Sequence, residues 1–216
     1  MGIPSYFSYI VKNHPEILEK FITDRIHIHN LYMDCNSVIY DSFYNLSDDE
    51  LNGNIAKILI TNVVKKITQY ITTISPEEKV IISFDGVAPV AKLEQQRSRR
   101  FKSWFQSTIS NKIFETVPGK WSTTAITPGT SFMKQLNKEI TDHFAHTKIP
   151  NIRAKIIVST SDEVGEGEHK IFKHVRDDKS HKDKHTVIYG LDADLIMLAI
   201  NHLPICKNIF LFRETP

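Results

Sequence analysis

Five short apolar runs rich in β-branched residues, separated by longer stretches with a different period, set the strongest limit on how this chain can fold. The runs are Asn30 to Met33, Val80 to Phe84, Lys155 to Ser159, Thr186 to Tyr189 and Asn208 to Phe212. A short apolar run without polar alternation reads as a strand covered on both faces. Between the runs, Ile55 to Ile74 repeats apolar residues at Ile55, Leu59, Val63, Ile67 and Ile71, an i, i+4 stripe that predicts a helix with one buried face. A second helix is predicted to open at Thr130-Ser131. It carries Phe132, Leu136, Ile140 and Phe144 on one face, and Thr127-Pro128-Gly129-Thr130 supplies the turn and the cap. Buried strands alternating with helices predict an α/β fold, a mostly parallel central sheet flanked by helices.

The same order distributes carboxylates. Asp34 follows Leu31-Tyr32-Met33, Asp85 follows Val80 to Phe84, and Asp192 and Asp194 follow Val187 to Leu191. Three parallel strands therefore each deliver acid at the carboxyl end, the edge where open α/β sheets bind their ligands. A fourth segment, Gly165-Glu166-Gly167-Glu168-His169, follows the strand Lys155 to Ser159 through a short polar loop and opens a helix. Its glutamates sit where the helix dipole favours negative charge, and its glycines allow close approach of backbone and substrate.

Carboxylates converging on one edge repel unless cations lie among them. Oxygen donors without His or Cys fit Mg²⁺ or Mn²⁺ rather than zinc. Two such ions about 4 Å apart can activate a water and stabilise a leaving oxygen in phosphodiester hydrolysis. No Ser-His-Asp or Cys-His arrangement competes. A lone Asp after a strand is ordinarily a turn former or a helix cap; four motifs in strand-end register are what raise a metal site above that reading.

Positive charge concentrates from Lys92 to Lys102, which reads Lys-Leu-Glu-Gln-Gln-Arg-Ser-Arg-Arg-Phe-Lys. On a helix, Lys92, Gln96, Arg99 and Arg100 fall within an arc of roughly 100°, with Arg97 pointing away and Lys102 opposite. Guanidiniums, an ammonium and an amide on one face suit a terminal phosphate. An ordinary solvated helix face is the plain alternative, and the position just after the Asp85 strand end favours the phosphate.

Composition bounds the rest. At 216 residues, 41% hydrophobic and 24% charged, the chain is expected to form one globular domain over residues 1–216. No apolar run approaches the roughly 18 residues of a membrane span. The start, Met-Gly-Ile-Pro-Ser-Tyr, lacks the cationic and apolar regions of a signal peptide, and Tyr6 breaks the myristoylation pattern. Cys35 and Cys206 belong to no CxxC pair, so a reducing compartment is expected, cytoplasmic with nuclear left open. A net charge of +2 does not by itself announce a nucleic-acid binder. The His169 to His185 segment holds four histidines at irregular spacing and is read as a solvated helix end and loop rather than a metal site.

Taken in order, these motifs resemble the N-terminal conserved region of the Xrn family of 5′→3′ exoribonucleases. The matching stretches are Met1 to Pro4, Tyr32 to Ser37, Asp85 to Pro89, Ala91 to Phe101, Ile126 to Thr130, Gly165 to Lys170 and Tyr189 to Leu198. More distantly, the acidic pattern is similar to flap endonucleases. The resemblance implies a PIN/FEN-like nuclease core that hydrolyses RNA processively from a 5′-monophosphate end, releasing mononucleotides. It implies Asp34, Asp85, Glu166, Glu168, Asp192 and Asp194 as catalytic ligands of two Mg²⁺ (or Mn²⁺) ions. Lys92, Gln96, Arg99 and Arg100 would form the pocket that accepts a 5′-monophosphate and excludes capped or triphosphate ends. Asn36 and Ser37 would support the substrate side from behind the ligands.

The chain departs from the family pattern in two ways. Tyr40 stands where the family usually has a His that stacks on the terminal base, a role a phenol ring can also fill. The family's seventh metal-binding Asp and its second conserved region lie beyond Pro216. A missing C-terminal region or a second chain is therefore expected to complete the active site, whether this is a fragment, a split gene product or a reduced version. Two other readings stand beside the exoribonuclease: an RNA-binding or interaction module that kept the fold, and a flap-type structure-specific nuclease. Carboxylates facing phosphates without metal weaken binding, which argues against a pure binder.

Overall fold

A computed structural model describes residues 5–20, 26–114 and 121–214. In chain order the elements are α1 (Tyr6–Asn13), β1 (Asn30–Asp34), α2 (Asn36–Tyr44), α3 (Asp48–Leu51), α4 (Ile55–Ile74), β2 (Lys79–Ser83), α5 (Val90–Ile113), α6 (Ser131–His146), β3 (Lys155–Ser159), α7 (Gly167–Asp177), β4 (His185–Tyr189), α8 (Asp194–His202) and β5 (Asn208–Phe212). The five strands form one all-parallel sheet in the order β3-β2-β1-β4-β5. This is the expected α/β architecture.

The strands pack on both faces, and their side chains sort by parity. Leu31, Met33, Val80, Ile82, Val187 and Tyr189 face α4 and α6, where Leu59, Val63, Ile67, Phe132, Leu136 and Ile140 meet them. Tyr32, Ile81 and Ile188 face the other way, onto Ile171, Phe172 and Val175 of α7 and Leu195 and Ala199 of α8. Each fully buried Leu or Ile contributes about 1.5–3 kcal/mol by leaving water. Both predicted stripes are the buried faces of their helices. Asn54 caps α4 by accepting from Lys57 N–H at 3.2 Å, and Thr130 caps α6 by accepting from Met133 N–H at 3.3 Å.

β3 and β5 have the limits of their apolar runs, and the other three strands differ from theirs by a residue. β1 carries on through Asp34, paired with Ser83, while β2 stops at Ser83 and leaves Phe84 to turn toward Asp85. Hydrogen bonding decides these ends, and hydropathy does not see it.

The His169 to His185 segment is more structured than a solvated loop. Its first half is α7, which buries Ile171, Phe172 and Val175. His181 is fully buried. Its Nδ1 lies 2.6 Å from the Asp178 carbonyl and its Nε2 lies 2.6 Å from the Tyr32 hydroxyl. A carbonyl only accepts, so Nδ1 carries the proton and Nε2 accepts from Tyr32. A neutral histidine with both nitrogens satisfied can be buried, which a count of polar residues cannot show. Among the described residues, no helix is long and apolar enough to cross a membrane.

Candidate active site

The sheet order reverses between β1 and β4, and the carboxyl end of that junction is where an open parallel sheet forms a crevice. β1 ends in Asp34, Asp85 lies just past β2, and Asp192 lies just past β4. α7 points its N-terminus at the same place, with Glu166 in the capping position and Glu168 in the first turn. Asp34, Asp85, Glu166, Glu168 and Asp192 line one cavity of about 470 Å³. Asp194 does not line it. It opens α8 instead and acts on Glu168 through its charge.

The opposite wall is α5. Lys92, Gln96, Arg99 and Arg100 all face the cavity, and Arg97 and Lys102 do not, as the helical arc predicts. Asn36, Ser37 and Tyr40 of α2 line it between the acids and the arginines. Tyr40 is half-buried, which pushes its phenol up, while the Arg100 and Arg99 charges pull it down; the net shift is upward. Every residue nominated from the sequence therefore belongs to this neighbourhood, with Asp194 at its edge.

The carboxylates are held close and poorly solvated. A Cβ on Gly167 would stand 2.6 Å from Asp34 Oδ1, so only glycine lets the α7 backbone pass this near. Gly167 N–H donates to Asp85 Oδ1 at 2.7 Å, and Asn36 Nδ2 donates to Asp85 Oδ2 at 2.7 Å. Asp34 Oδ1 is buried and accepts no hydrogen bond from the described residues. Burial, then the Asp85 and Glu168 charges, hold Asp34 well above the usual carboxylate range. Burial also raises Asp85, partly offset by the Gly167 N–H. Glu168 is pushed up to about 7, again chiefly by burial, with Glu166, Asp192 and Asp194 adding to it.

Lys92 meets this charge directly, its Nζ 2.6 Å from Glu166 Oε1. Burial alone would lower the Lys92 ammonium, but Glu166, Glu168 and Asp85 together raise it. The ammonium thus belongs as much to the acids as to the arc of Gln96, Arg99 and Arg100. Lys92, together with Lys170 behind Asp85, does not balance five carboxylates, and the partnerless Asp34 oxygen remains. A donor set of carboxylate oxygens that includes an unsatisfied buried oxygen fits a hard divalent cation. Asp34, Asp85, Glu166, Glu168 and Asp192 are the residues that could hold one.

Sequence reasoning missed several neighbours. His169 is exposed, with Nε2 3.8 Å from Glu166 Oε2 and 3.9 Å from Glu168 Oε1, so an imidazole does adjoin the oxygen donors. Ligand atoms of these three residues all lie within 4.8 Å of one another. Lys170 is buried, its ammonium donating to the Phe84 carbonyl at 2.9 Å and the Thr160 carbonyl at 2.7 Å. It ties the end of β2 to the loop after β3, directly behind Asp85. Ser103 extends the α5 face one turn beyond Arg99, a signal the helical arc contained. Thr123, Thr124, Ile126 and Pro128 also close the cavity; of these, Pro128 belongs to the turn before α6 and Ile126 to a stretch matched only by the family resemblance, while Thr123 and Thr124 carry no signal in the sequence. Their proximity is tertiary and has no local signature.

Comparison with known proteins gives the family. Residues 1–215 match the family model described as XRN 5'-3' exonuclease N-terminus. The chain is 37% identical over 217 residues to 5'-3' exoribonuclease 1 of Saccharomyces cerevisiae, covering 93% of this chain and 14% of that protein. It is 33% identical to 5'-3' exoribonuclease 1 of Homo sapiens, covering 93% of this chain and 12% of that one. For the Schizosaccharomyces pombe protein of the same name the figures are 31%, 99% and 17%. The chain thus spans less than a fifth of the length of these relatives. Its five-stranded parallel sheet with helices on both faces is the fold of a PIN-like nuclease core. By the extent of the match and the course of the chain, it belongs to the XRN 5'-3' exonuclease N-terminus family.

Proposed function

We propose that this chain is the catalytic core of a divalent-cation-dependent 5′→3′ exoribonuclease that removes nucleotides from RNA bearing a 5′-monophosphate. The observation that carries the reading is the meeting, in one cavity, of a buried carboxylate cluster and the Lys92, Gln96, Arg99 and Arg100 face of α5. A hydrolase that acts from a phosphorylated end uses the first for the chemistry and the second to hold that end, a short distance away.

Asp34, Asp85, Glu166, Glu168, Asp192 and Asp194 would hold Mg²⁺ or Mn²⁺. Bound there, a pair of such ions supplies an activated water and a positive charge for the leaving oxygen. The remaining work falls to the chain's own side chains. Arg99 and Arg100 receive the terminal phosphate through paired N–H donors, with Gln96 as a neutral donor beside them. Lys92 bridges that phosphate and Glu166. Tyr40 offers a ring on which the terminal base stacks. Asn36 fixes the rotation of the Asp85 carboxylate by holding one of its oxygens. The basic face of α5 and the family resemblance support recognition of a single terminal phosphate, so a triphosphate or a cap would be disfavoured at the same position. The family resemblance also supports an active site completed by a further segment or a second chain.

The test is hydrolysis of 5′-monophosphate against 5′-triphosphate RNA, with Mg²⁺ and with chelator. Metal-dependent release of mononucleotides from the monophosphate alone is the expected result. Cleavage of branched DNA with monophosphate RNA left intact would show a flap-type nuclease instead. Metal-independent RNA binding without hydrolysis, even with the longer relatives' remaining segments supplied, would show a binding module.

A further inference from the structure

The outer half of α5 is not explained by the cavity. None of the residues of this helix is buried, yet its second half carries Phe101, Trp104 and Phe105 at 62%, 55% and 49% exposure. Large rings left this open on a soluble helix mark a binding surface. The rings are ordered against one another: Phe101 and Phe105 stack with centroids 6.2 Å apart and planes 15° apart, and Phe101 lies 5.7 Å from Trp104.

Charge decides what such a face fits. α5 carries six basic residues and one acidic one, Glu94. Arg97 precedes Phe101 by one helical turn and Lys112 follows Phe105 by two, so cations lie among the rings rather than on the opposite face. A membrane-seeking helix segregates its cations from its apolar side. A second copy of this helix would bring like charges together. Aromatic faces interleaved with cations match single-stranded nucleic acid, whose bases stack and whose phosphates need neutralising. The face is also continuous with the cavity, because Trp104 lies one turn outward from Arg100 along the same ridge.

We infer that Phe101, Trp104 and Phe105 form a stacking platform for single-stranded RNA, engaging nucleotides downstream of the one whose 5′ end occupies the cavity. This rests on the RNA reading of the cavity and adds to it a site that senses substrate length. The platform binds without regard to the end group, because it touches bases and internal phosphates only.

The experiment measures binding in chelator, where nothing is hydrolysed, of a dinucleotide and of an oligouridylate about twelve nucleotides long, each with a 5′-monophosphate or a 5′-hydroxyl. The longer RNA quenches Trp104 fluorescence and binds more tightly than the dinucleotide. Trp104→Ser with Phe105→Ser weakens the longer RNA about ten-fold and leaves the dinucleotide unchanged. Trp104→Tyr, which keeps a ring, retains the affinity and guards against a folding artefact. Unchanged affinity of the double serine variant for the longer RNA, with the monophosphate preference intact, overturns the platform and leaves the cavity reading standing. Length dependence and quenching without any monophosphate preference do the reverse. Capture of anionic vesicles, or a dimer that the double variant dissolves, in place of length-dependent RNA binding, also overturns the platform.

Discussion

Asn36 and Asp85 are fastened to each other twice: Asn36 Nδ2 donates to Asp85 Oδ2 at 2.7 Å, and Asp85 N–H donates to Asn36 Oδ1 at 3.0 Å. One side chain thus reads both the backbone and the carboxylate of a residue 49 positions away. It joins the first turn of α2 to the loop after β2 and leaves the carboxylate a single orientation. Asn36→Ala removes both bonds while leaving the acid in place. The expected outcome is a roughly ten- to hundred-fold loss of metal affinity or activity. Titrating Mg²⁺ in an RNA hydrolysis assay checks it, and part of the loss should return at high Mg²⁺. Asn36→Asp should be worse, because it adds a like charge at hydrogen-bond distance from Asp85.

Gly167 sets the spacing of the same cluster. A methyl group there would press on Asp34 Oδ1, and Asp34 sits at the end of β1 with no room to retreat. Gly167→Ala is expected to displace α7 or Asp34 by a few tenths of an ångström or more. A displacement of about 1 Å near reacting groups can cost on the order of 100-fold in rate. Hydrolysis should fall by that order while the circular dichroism spectrum stays that of the parent. An alanine variant with parent-like activity would show that the α7 turn does not position Asp34.

Asp192→Asn separates the two roles of the acidic cluster. It deletes one charge from a group whose members raise one another. Activity is expected to disappear, since the residue lines the cavity at the switch point of the sheet. The metal-free protein should melt no lower than the parent, and higher by about 2–4 °C for each kcal/mol of repulsion relieved in a chain of this size. Activity assays with differential scanning calorimetry in chelator read both effects on one preparation.

How much of this was legible beforehand follows the range of the forces involved. The strands and the α4 and α6 stripes are local patterns, and periodicity recovers them because burial on one face repeats every turn or every second residue. The acids at Asp34, Asp85 and Asp192 were legible because a parallel sheet brings strand ends to one edge whatever the loops do. The α5 arc was legible from helix geometry alone. Lys170, His181 and the Thr123 to Pro128 wall were not, because each depends on a partner distant in sequence. A buried lysine or histidine looks like a surface residue until its acceptors are known. His181 is the sharpest case, since the phenol that satisfies it is 149 residues away.

That histidine gives a stability prediction remote from the cavity. Tyr32→Phe keeps the ring that packs against α7 but leaves His181 Nε2 without its donor. An orphaned buried acceptor costs about 1–3 kcal/mol. Urea denaturation should show that loss with an unchanged slope, since the surface exposed on unfolding is the same. RNA hydrolysis at a temperature where the variant is folded should be close to parental.

The carboxylate cluster itself makes stability depend on pH in a direction opposite to ordinary acid denaturation. Glu168 rises from the usual 4.5 to about 7 in the folded chain, with burial as the main cause, and burial also raises Asp34 and Asp85. A raised pKa means that the folded state holds protons the unfolded chain has already lost. The associated stability is fully present below the unfolded pKa and is lost as pH climbs through the folded one. For Glu168 that window runs from about 4.5 to about 7. In chelator, the melting temperature is therefore expected to fall by several degrees between about pH 5 and pH 8, at about 2–4 °C per kcal/mol. Glu168→Gln should flatten the profile, because a neutral amide has no proton to lose. Mg²⁺ should restore the melting temperature more at pH 8 than at pH 5, since ionised carboxylates are the form that binds it. Melting curves across that range, with and without Mg²⁺, decide the matter. A metal-free profile that rises with pH would mean that the acids are better solvated, or better paired, than their burial implies.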